Sequence, residues 1–420
     1  MPYPERAVNG APSATIGEMR IAGFLILCSC SLGAASVPMT LLSEDEAEPI
    51  HSAILRKEPW TLDAVRRLRA EADKRLREGP WSVTTDRPAG LNLDVHDYYG
   101  EAPFWWPDPA NPAAPWVRRE GHVNPDRFTA NKTALDATCD SIFALGAASF
   151  FLDDPRYGRR AAQLINAWFL NPKTRTNPSL DYSQAIRGIN EARGGSIDGR
   201  VFVRAVQGME FLAQSGQWDT KEAAATHKWF EDYLRWLTHS KTASDEKSSG
   251  SLRASWWTAQ VAAIATFLDD KAAAQMAFNY YRDSVFPRQT GPEAIAPREE
   301  ERNRSLGYSA FNAEGMATTC RIAQAQGVDL WSVQGKGGAT LATVIAYLAP
   351  HLADRKKWDK EQIAEFETDG IYFLAFAGMG MKKPEYVTLY HQLEHPDSAW
   401  LSFVDLMAGR WEAAAHQTRH

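Results

Sequence analysis

Residues 134–152 read ALDATCDSIFALGAASFFL, and their apolar side chains recur at intervals of three and four. That period places the apolar side chains on one face of an α-helix. The turn residues Asp153, Asp154 and Pro155 follow directly. Apolar residues at the same helical spacing recur at Arg159–Phe169, Phe202–Leu212, Ala223–Leu237, Ser255–Leu268, Lys271–Val285, Ala310–Gln324, Ala339–His351 and Ala399–Met407.

Few stretches of the chain alternate apolar and polar residues as a β-strand would, so we expect an all-α fold. Paired helices in this number predict an incomplete (α/α) toroid, a barrel of helical hairpins that leaves a groove across one end. Long polar linkers at 173–200 and 287–308 interrupt the helical pattern. Because functional residues concentrate in loops held by a rigid scaffold, we expect the chemistry there.

The composition narrows the class of protein. A chain of 420 residues with 44% apolar residues can bury a large core. Its formal net charge of −6 offers no basic surface to nucleic acid, so a polyanionic ligand would need a local cluster of arginines. The 15 tryptophans supply ring faces of the kind on which sugars stack.

The segment Met19–Ser36, MRIAGFLILCSCSLGAAS, has a basic start, an apolar run and small residues in the order of a secretory signal peptide. Residues 1–36 are therefore predicted to be an N-terminal extension plus signal peptide. We expect a secreted protein, extracellular or periplasmic, that does not stay inserted in a membrane after the signal is removed. The remainder divides into a leading segment with a helix at 37–93, a main domain at 94–411 and a tail at 412–420, and we expect a monomer.

Removal of the signal would leave two cysteines, Cys139 and Cys320, each in an apolar helical stretch. The sequence is compatible with two buried thiols and with one disulfide. No cysteine or histidine spacing of a zinc site is present, so we expect neither a metal nor another cofactor.

A long aromatic stretch runs from Thr84 to Arg127 and includes HDYYGEAPFWWPDPANP. Its repeated prolines exclude a regular helix. Because aromatic rings in a loop must either fill a core or line a cleft, we expect a lid or cleft wall here.

The segment Glu301–Asn312, ERNRSLGYSAFN, places Arg302 and Arg304 shortly before Tyr308. Helical spacing of four puts Arg304 on the same face as Tyr308. A guanidinium can hold a carboxylate, and a phenol whose pKa a neighbouring cation lowers can exchange a proton. These groups suit β-elimination from a uronic acid. The other interpretation is an ordinary helix with solvated arginines.

Five ordered blocks of sequence carry a resemblance to a known family. They are DYYGEAPFWWPDP at 97–109, NPSLDYSQAIRGINEARGGSID at 177–198, the helix at 256–270, the segment at 301–312 and GVDLW at 327–331. Over most of its length the chain resembles the alginate lyase family, which is related to polysaccharide lyase family 5. The resemblance implies a helical toroid and β-elimination from a uronate-containing polysaccharide.

If the chain is a lyase, we expect Tyr308 to serve as both base and acid, with Arg302, Arg193 and Arg253 holding the substrate carboxylate. The family has an Asn-His pair just before the helix that begins near Trp256, and here Leu252 and Arg253 stand in those positions. Residues expected to bind the acidic polysaccharide are Arg193, Gln184, Asn190, Tyr98, Tyr99, Trp105, Trp106, Trp257 and Arg304.

Two alternatives follow from the missing Asn-His pair. The chain could be a relative that has lost catalysis and binds acidic glycans through its aromatic cleft. It could also be a glycoside hydrolase, which needs two opposed carboxylates. Candidates for that pair are Glu101, Asp97, Asp108 and Glu293.

Overall fold

A computed structural model of the chain describes residues 39–190, 193–291, 296–366 and 370–417. The signal segment proposed above and Glu293 lie outside these residues. The described part is predominantly helical, which confirms the all-α prediction. The helices are α1 Glu44–Leu55, α2 Leu62–Arg75, α3 Ala130–Phe151, α4 Pro155–Ile165, α5 Phe202–Gln214, α6 Thr220–His239, α7 Lys241–Lys247, α8 Leu252–Phe267, α9 Lys271–Tyr280, α10 Phe286–Gln289, α11 Pro297–Glu300, α12 Ser305–Ala325, α13 Leu341–Ala353, α14 Phe373–Gly380, α15 Pro384–Gln392 and α16 Ala399–Gln417.

Three long helices, α3, α8 and α12, form the centre of the fold. In α8 every residue except Arg253 is buried. Helices of this kind are apolar on all sides because neighbours surround them. Helix α3 has the length and composition of a membrane span, but 78% of its apolar window is buried inside the protein, as in the core helix of a soluble domain.

Four short strands lie in and after the aromatic stretch. Strand β1, Tyr99–Glu101, pairs in parallel with β4, Tyr182–Ala185. Strand β2, Trp105–Trp106, pairs antiparallel with β3, Val117–Arg118. The sequence predicted an irregular loop at 84–127. The prolines exclude helix as expected, but two- and three-residue strands are too short for an alternating pattern to indicate them.

The leading residues Met39–Leu42 lie inside the core rather than on the surface. The backbone amide of Thr40 donates to Glu210 Oε2 at 2.7 Å, and its hydroxyl donates to Glu210 Oε1 at 2.8 Å. Arg321 Nε donates to the carbonyl of Leu41 at 2.8 Å. Side chains of α5 and α12 therefore fix this segment.

The two cysteines within the described residues are free thiols, which decides between the alternatives that the sequence left open. Cys139 and Cys320 are both buried and unbridged. The thiol of Cys320 donates to the Tyr281 hydroxyl oxygen at 3.4 Å. Burial raises the pKa of both thiols, so they remain protonated and inert.

Candidate active site

Tyr308 lies in the first turn of α12, which begins at Ser305, directly after Arg304. The guanidinium carbon of Arg302 lies 3.5 Å from the centroid of the Tyr308 ring. Arg304 precedes the helix in a non-helical conformation, and its carbonyl accepts the Tyr308 backbone amide at 2.9 Å. The expected juxtaposition of cation and phenol is therefore present, but it arises from Arg302 folding back over the ring.

Two carboxylates hold the Arg302 guanidinium in this position. Its Nε and Nη2 donate to Glu120 Oε1 at 3.1 and 2.9 Å. Its Nη1 donates to Glu299 Oε2 at 3.2 Å, and the Glu299 side chain is almost completely buried. With three donors engaged, Arg302 is fixed as a positive charge against the phenol. It is less well placed to grip a substrate carboxylate than the sequence suggested.

The Tyr308 hydroxyl is buried and makes no hydrogen bond to any of the described residues. A buried hydroxyl without a partner is costly and uncommon, and it is often found at functional sites. Burial raises the pKa of Tyr308, and this effect outweighs the nearby Arg302, which lowers that pKa. The expectation of a lowered pKa is therefore wrong for this structure, because desolvation exceeds the attraction of the cation.

A cavity of about 260 Å³ adjoins Tyr308. One wall is a face of α12, on which Tyr308, Phe311 and Glu314 follow one another at helical spacing. Three guanidinium groups, from Arg200, Arg204 and Arg304, line the cavity together with the side chains of Gln362 and Glu365. The protein is acidic as a whole, yet this cavity gathers positive charge.

Sequence reasoning missed Arg200 and Arg204. Arg200 belongs to a short 3-10 helix, Ser196–Val201, that leads into α5, and Arg204 lies one turn further on. Their spacing of four could have indicated a shared face. The position of these two arginines relative to Tyr308 depends on how α5 packs near α12, and sequence spacing does not predict that packing.

A second group of polar residues surrounds Arg253 at the start of α8. Arg253 forms an ion pair with Glu246, whose carboxylate also accepts the Ser196 backbone amide at 2.6 Å. Arg193 Nη1 donates to the Gln184 carbonyl at 3.3 Å. Burial and the proximity of Arg253 lower the pKa of Arg193, so the structure brings these two predicted residues near each other.

Leu252, one of the two residues that stand in the positions of the family's Asn-His pair, lies in an apolar cluster that Tyr308 contacts. Trp256 belongs to the same cluster, and Phe311 also contacts it. The Leu252 backbone amide donates to Glu299 Oε1 at 2.9 Å. Glu299 thus joins the start of α8 to Arg302, and an aliphatic side chain occupies a place next to the phenol.

Three of the aromatic residues expected to bind substrate belong to the core, which corrects that part of the sequence analysis. Tyr98 is 1% exposed, and its hydroxyl donates to Asp198 Oδ2 at 2.9 Å. Tyr99 is 2% exposed. Trp257 is fully buried, and its indole N–H donates to the Leu237 carbonyl at 2.8 Å. These rings cannot reach a polysaccharide in this structure.

Gln184 is also buried, at 6% exposed, whereas the two tryptophans of the aromatic stretch and Asn190 are more accessible. Trp105 and Trp106 form β2 and are partly exposed. The guanidinium carbon of Arg119 lies 5.1 Å from the centroid of the Trp106 ring. Asn190 is exposed and pairs through its backbone with Ile186. The tryptophans remain candidates for a cleft wall.

The carboxylates considered for a glycoside hydrolase are used in other ways. Glu101 is buried in an ion pair with Arg187, and Asp97 accepts the Asn177 side-chain amide at 2.9 Å. Asp108 is partly exposed and accepts the Ala110 backbone amide at 2.9 Å. Within the described ranges, no three Asp, Glu, His or Cys side chains are grouped to hold a metal ion.

A helical fold that presents a phenol and several guanidinium groups to one cavity fits the class of polysaccharide lyases. A sequence model of the alginate lyase family matches residues 82–358, so this chain belongs to the alginate lyase family. The family expected from the sequence blocks is thereby confirmed.

Solved structures agree with this assignment. The chain is similar to an alginate lyase from Bacteroides ovatus, with 25% identity and a TM-score of 0.81 over 88% of this chain and 99% of that chain. A variant of alginate lyase A1-III, from Sphingomonas species A1, complexed with a tetrasaccharide, is 12% identical with a TM-score of 0.56 over 89% and 97% of the two chains. The second likeness shows the fold alone. No curated protein sequence matches the chain.

Proposed function

We propose that this protein cleaves a uronate-containing, alginate-like polysaccharide by β-elimination, with Tyr308 moving the proton. The observation that carries the proposal is the buried Tyr308 hydroxyl, which has no hydrogen-bond partner among the described residues and belongs to a residue that lines an arginine-rich cavity. A group poised to exchange a proton with a ligand must keep its hydrogen-bonding capacity free for that ligand. Membership of the alginate lyase family supports the same reaction.

In this reaction the phenolate of Tyr308 takes the proton from C5 of a uronate residue. The electron pair left at C5 spreads into the C6 carboxylate and then forms the C4–C5 double bond. The bond from C4 to the glycosidic oxygen breaks, and that oxygen takes the proton from Tyr308. One residue can serve as base and acid when the C5 proton and the leaving oxygen lie on the same face of the sugar ring.

Positive charge near the reacting centre stabilises the carbanion and the phenolate. Arg302 supplies such charge to the phenol at 3.5 Å, while Glu120 and Glu299 hold it in position. Arg253 and Arg193 would contribute to binding a more distant carboxylate of the polysaccharide. The catalytic set is thus Tyr308 with Arg302 as its electrostatic partner.

We also propose that the protein is exported after removal of residues 1–36. The support is the order of charge, apolar run and small residues in Met19–Ser36. Intact mass measurement of the protein recovered from the producing cell's periplasm or medium tests this. A mature N-terminus near residue 37 is expected, and an uncleaved chain in the cytoplasm would contradict it.

A second candidate function is binding of acidic glycans without cleavage. The observation in its favour is Leu252, which places an aliphatic side chain where the family has a polar one, while Arg253 is engaged by Glu246. This protein would still bind a polyuronate but would never release an unsaturated product.

Absorbance near 235 nm distinguishes the two candidates, because the C4–C5 double bond made by elimination absorbs there. Purified protein is mixed with polymannuronate, polyguluronate, pectate or glucuronan. A rise with one polymer that is lost in Tyr308→Phe supports the lyase and names its substrate. Binding to one polymer without any rise would support the second candidate.

A further inference from the structure

We propose that Arg200 and Arg304 form a clamp for a uronate carboxylate in the cavity beside Tyr308. Building on the lyase function proposed above, the clamp takes over the recognition of a carboxylate that the absent Asn-His pair would provide. The ligand is a hexuronate residue of an acidic oligosaccharide, and the two arginines make the site selective for uronates over neutral sugars.

The arginines around the site differ in whether a carboxylate already holds them. Arg302 is bonded to Glu120 and Glu299, and Arg253 is paired with Glu246. Arg204, the third arginine of the cavity, donates to Asp140 Oδ1 at 3.1 Å. These guanidinium groups have protein partners, so their first role is to hold the site together.

Arg304 is anchored at one end of its guanidinium and available at the other. Its Nε donates to the Gly121 carbonyl at 2.8 Å, which fixes the side chain along the cavity wall. Within residues 39–190, 193–291, 296–366 and 370–417, its two terminal amino groups have no hydrogen-bond acceptor and no carboxylate at ion-pair distance. Those amino groups are the part of an arginine that binds a carboxylate in a bidentate manner.

Arg200 is positioned in a similar way by a ring and a carbonyl. Its guanidinium carbon lies 5.5 Å from the centroid of the Phe311 ring, and its Nη1 makes a long hydrogen bond of 3.5 Å to the Ile197 carbonyl. In the part of the chain that the structure describes, no carboxylate forms an ion pair with it. The stacked ring limits its rotamers, so less freedom is lost when a ligand binds.

The acidic residues of the cavity leave these two charges in place. Glu314 is buried and shares a hydrogen bond with Tyr372. Glu365 is exposed at the cavity, where water screens its charge. A uronate carboxylate entering the cavity would therefore meet two guanidinium groups and stand beside the Tyr308 hydroxyl.

The test measures binding apart from turnover, using the Tyr308→Phe variant of the full chain so that ligand is not consumed. Calorimetry compares a trisaccharide of the uronate that the 235 nm assay selects, or mannuronate if it selects none, with the same trisaccharide after reduction of its carboxylates. We expect Arg200→Gln and Arg304→Gln each to weaken uronate binding by about tenfold or more, since each removes a charged hydrogen-bond donor. The affinity for the reduced trisaccharide should change by less than about twofold, so the ratio of uronate affinity to reduced-sugar affinity should fall.

Arg282→Gln is the matched control, because Arg282 pairs with Asp283 on the surface and does not line the cavity. Thermal unfolding of every variant shows whether it is folded. Arg304→Lys keeps the positive charge but loses the bidentate guanidinium, so its affinity for the uronate should fall between those of the wild-type residue and Arg304→Gln. An unchanged preference for uronate in both glutamine variants, or no uronate binding before either substitution, overturns the clamp.

The outcomes separate the clamp from the proposed function. If wild-type protein cleaves no polymer but both glutamine variants lose uronate binding, the lyase proposal fails and the clamp stands. If wild-type protein cleaves a polyuronate and the same substitutions in the Tyr308-containing chain leave KM unchanged, the lyase stands and the clamp fails.

Discussion

Replacing Tyr308 with phenylalanine removes one oxygen atom and should affect stability and activity in opposite directions. The hydroxyl is buried without a hydrogen-bond partner among the described residues. Leaving a buried polar group unsatisfied costs roughly 1–3 kcal/mol. Since Tyr308 lines a cavity and is not enclosed on all sides, the lower end applies, and we expect the free energy of unfolding to stay equal or rise by about 1 kcal/mol.

The same substitution should abolish elimination. A positioned acid or base contributes typically about 10²–10⁴-fold to a rate, and in the proposed mechanism Tyr308 acts in both steps. We therefore expect the rise at 235 nm to fall by at least about a hundredfold while the uronate polymer still binds. The two measurements are thermal unfolding and the initial rate of absorbance change.

Tyr98→Phe is the matched control, because it removes a hydroxyl that is buried but satisfied. The Tyr98 hydroxyl donates to Asp198 Oδ2 at 2.9 Å. Losing a hydrogen bond to a charged or polar buried acceptor costs roughly 1.5–3 kcal/mol, so this variant should unfold at a lower temperature and keep its turnover. If Tyr308→Phe is destabilised as much as Tyr98→Phe, or keeps a tenth of wild-type activity, the reasoning about Tyr308 is wrong.

Burial raises the pKa of Glu210 from 4.5 to about 8, so this group's contribution to stability should be complete below pH 4.5 and should be lost between pH 4.5 and 8, by about 5 kcal/mol in all. Glu210→Gln, which can still bond Thr40, should flatten denaturant-measured stability across that range. Because burial also raises the pKa of Tyr308, kcat/KM should increase from neutral into alkaline pH. An increase in kcat/KM centred near pH 6.5 would indicate a histidine base instead. In the chain without residues 1–36, which contain Cys28 and Cys30, we expect Cys139 and Cys320 to react with a thiol reagent only after denaturation, as two groups without prior reduction. Fast labelling of the native protein would contradict their burial.

The sequence predicted the helices because their apolar spacing reflects burial directly. Residues 134–152 are the clearest case, since the structure places α3 at Ala130–Phe151 in the centre of the fold. The sequence could not predict whether aromatic residues of the proline-rich stretch would lie in the core or at the surface. Tyr98 and Trp105 occur seven residues apart in the same kind of sequence, yet one is in the core and the other is partly exposed.

The same limit applies to Trp257. Trp257 lies in α8, a helix that is apolar on all sides. In such a helix the spacing of apolar residues does not distinguish a face buried in the core from a face that lines a groove. Its indole N–H is satisfied by the Leu237 carbonyl at the end of another helix. Only the packing of α6 against α8 decides that this ring is structural.

For the site, sequence spacing predicted that a cation would lie near Tyr308 but not which contacts would hold it. Arg302 reaches the ring because Glu120, from the aromatic stretch, and Glu299 fix its guanidinium from two sides. Glu120 is 182 residues away along the chain, so no local pattern could indicate it. The sign of the Tyr308 pKa shift likewise depends on burial, which only the fold determines.

The exchange of the Asn-His pair for Leu252 and Arg253 has a physical consequence for how the reaction could run. Leu252 packs in the apolar cluster that Tyr308 contacts, which strengthens the desolvation that keeps the phenol protonated. A protonated phenol is ready as the acid, but it must first lose its proton to act as the base. In this protein the Arg302 guanidinium over the ring is the group that favours loss of that proton to solvent, and a uronate held by Arg200 and Arg304 would bring its C5 proton to the resulting phenolate. Catalysis without the pair therefore requires that guanidinium groups, rather than an imidazole, supply the stabilisation of the charged intermediate.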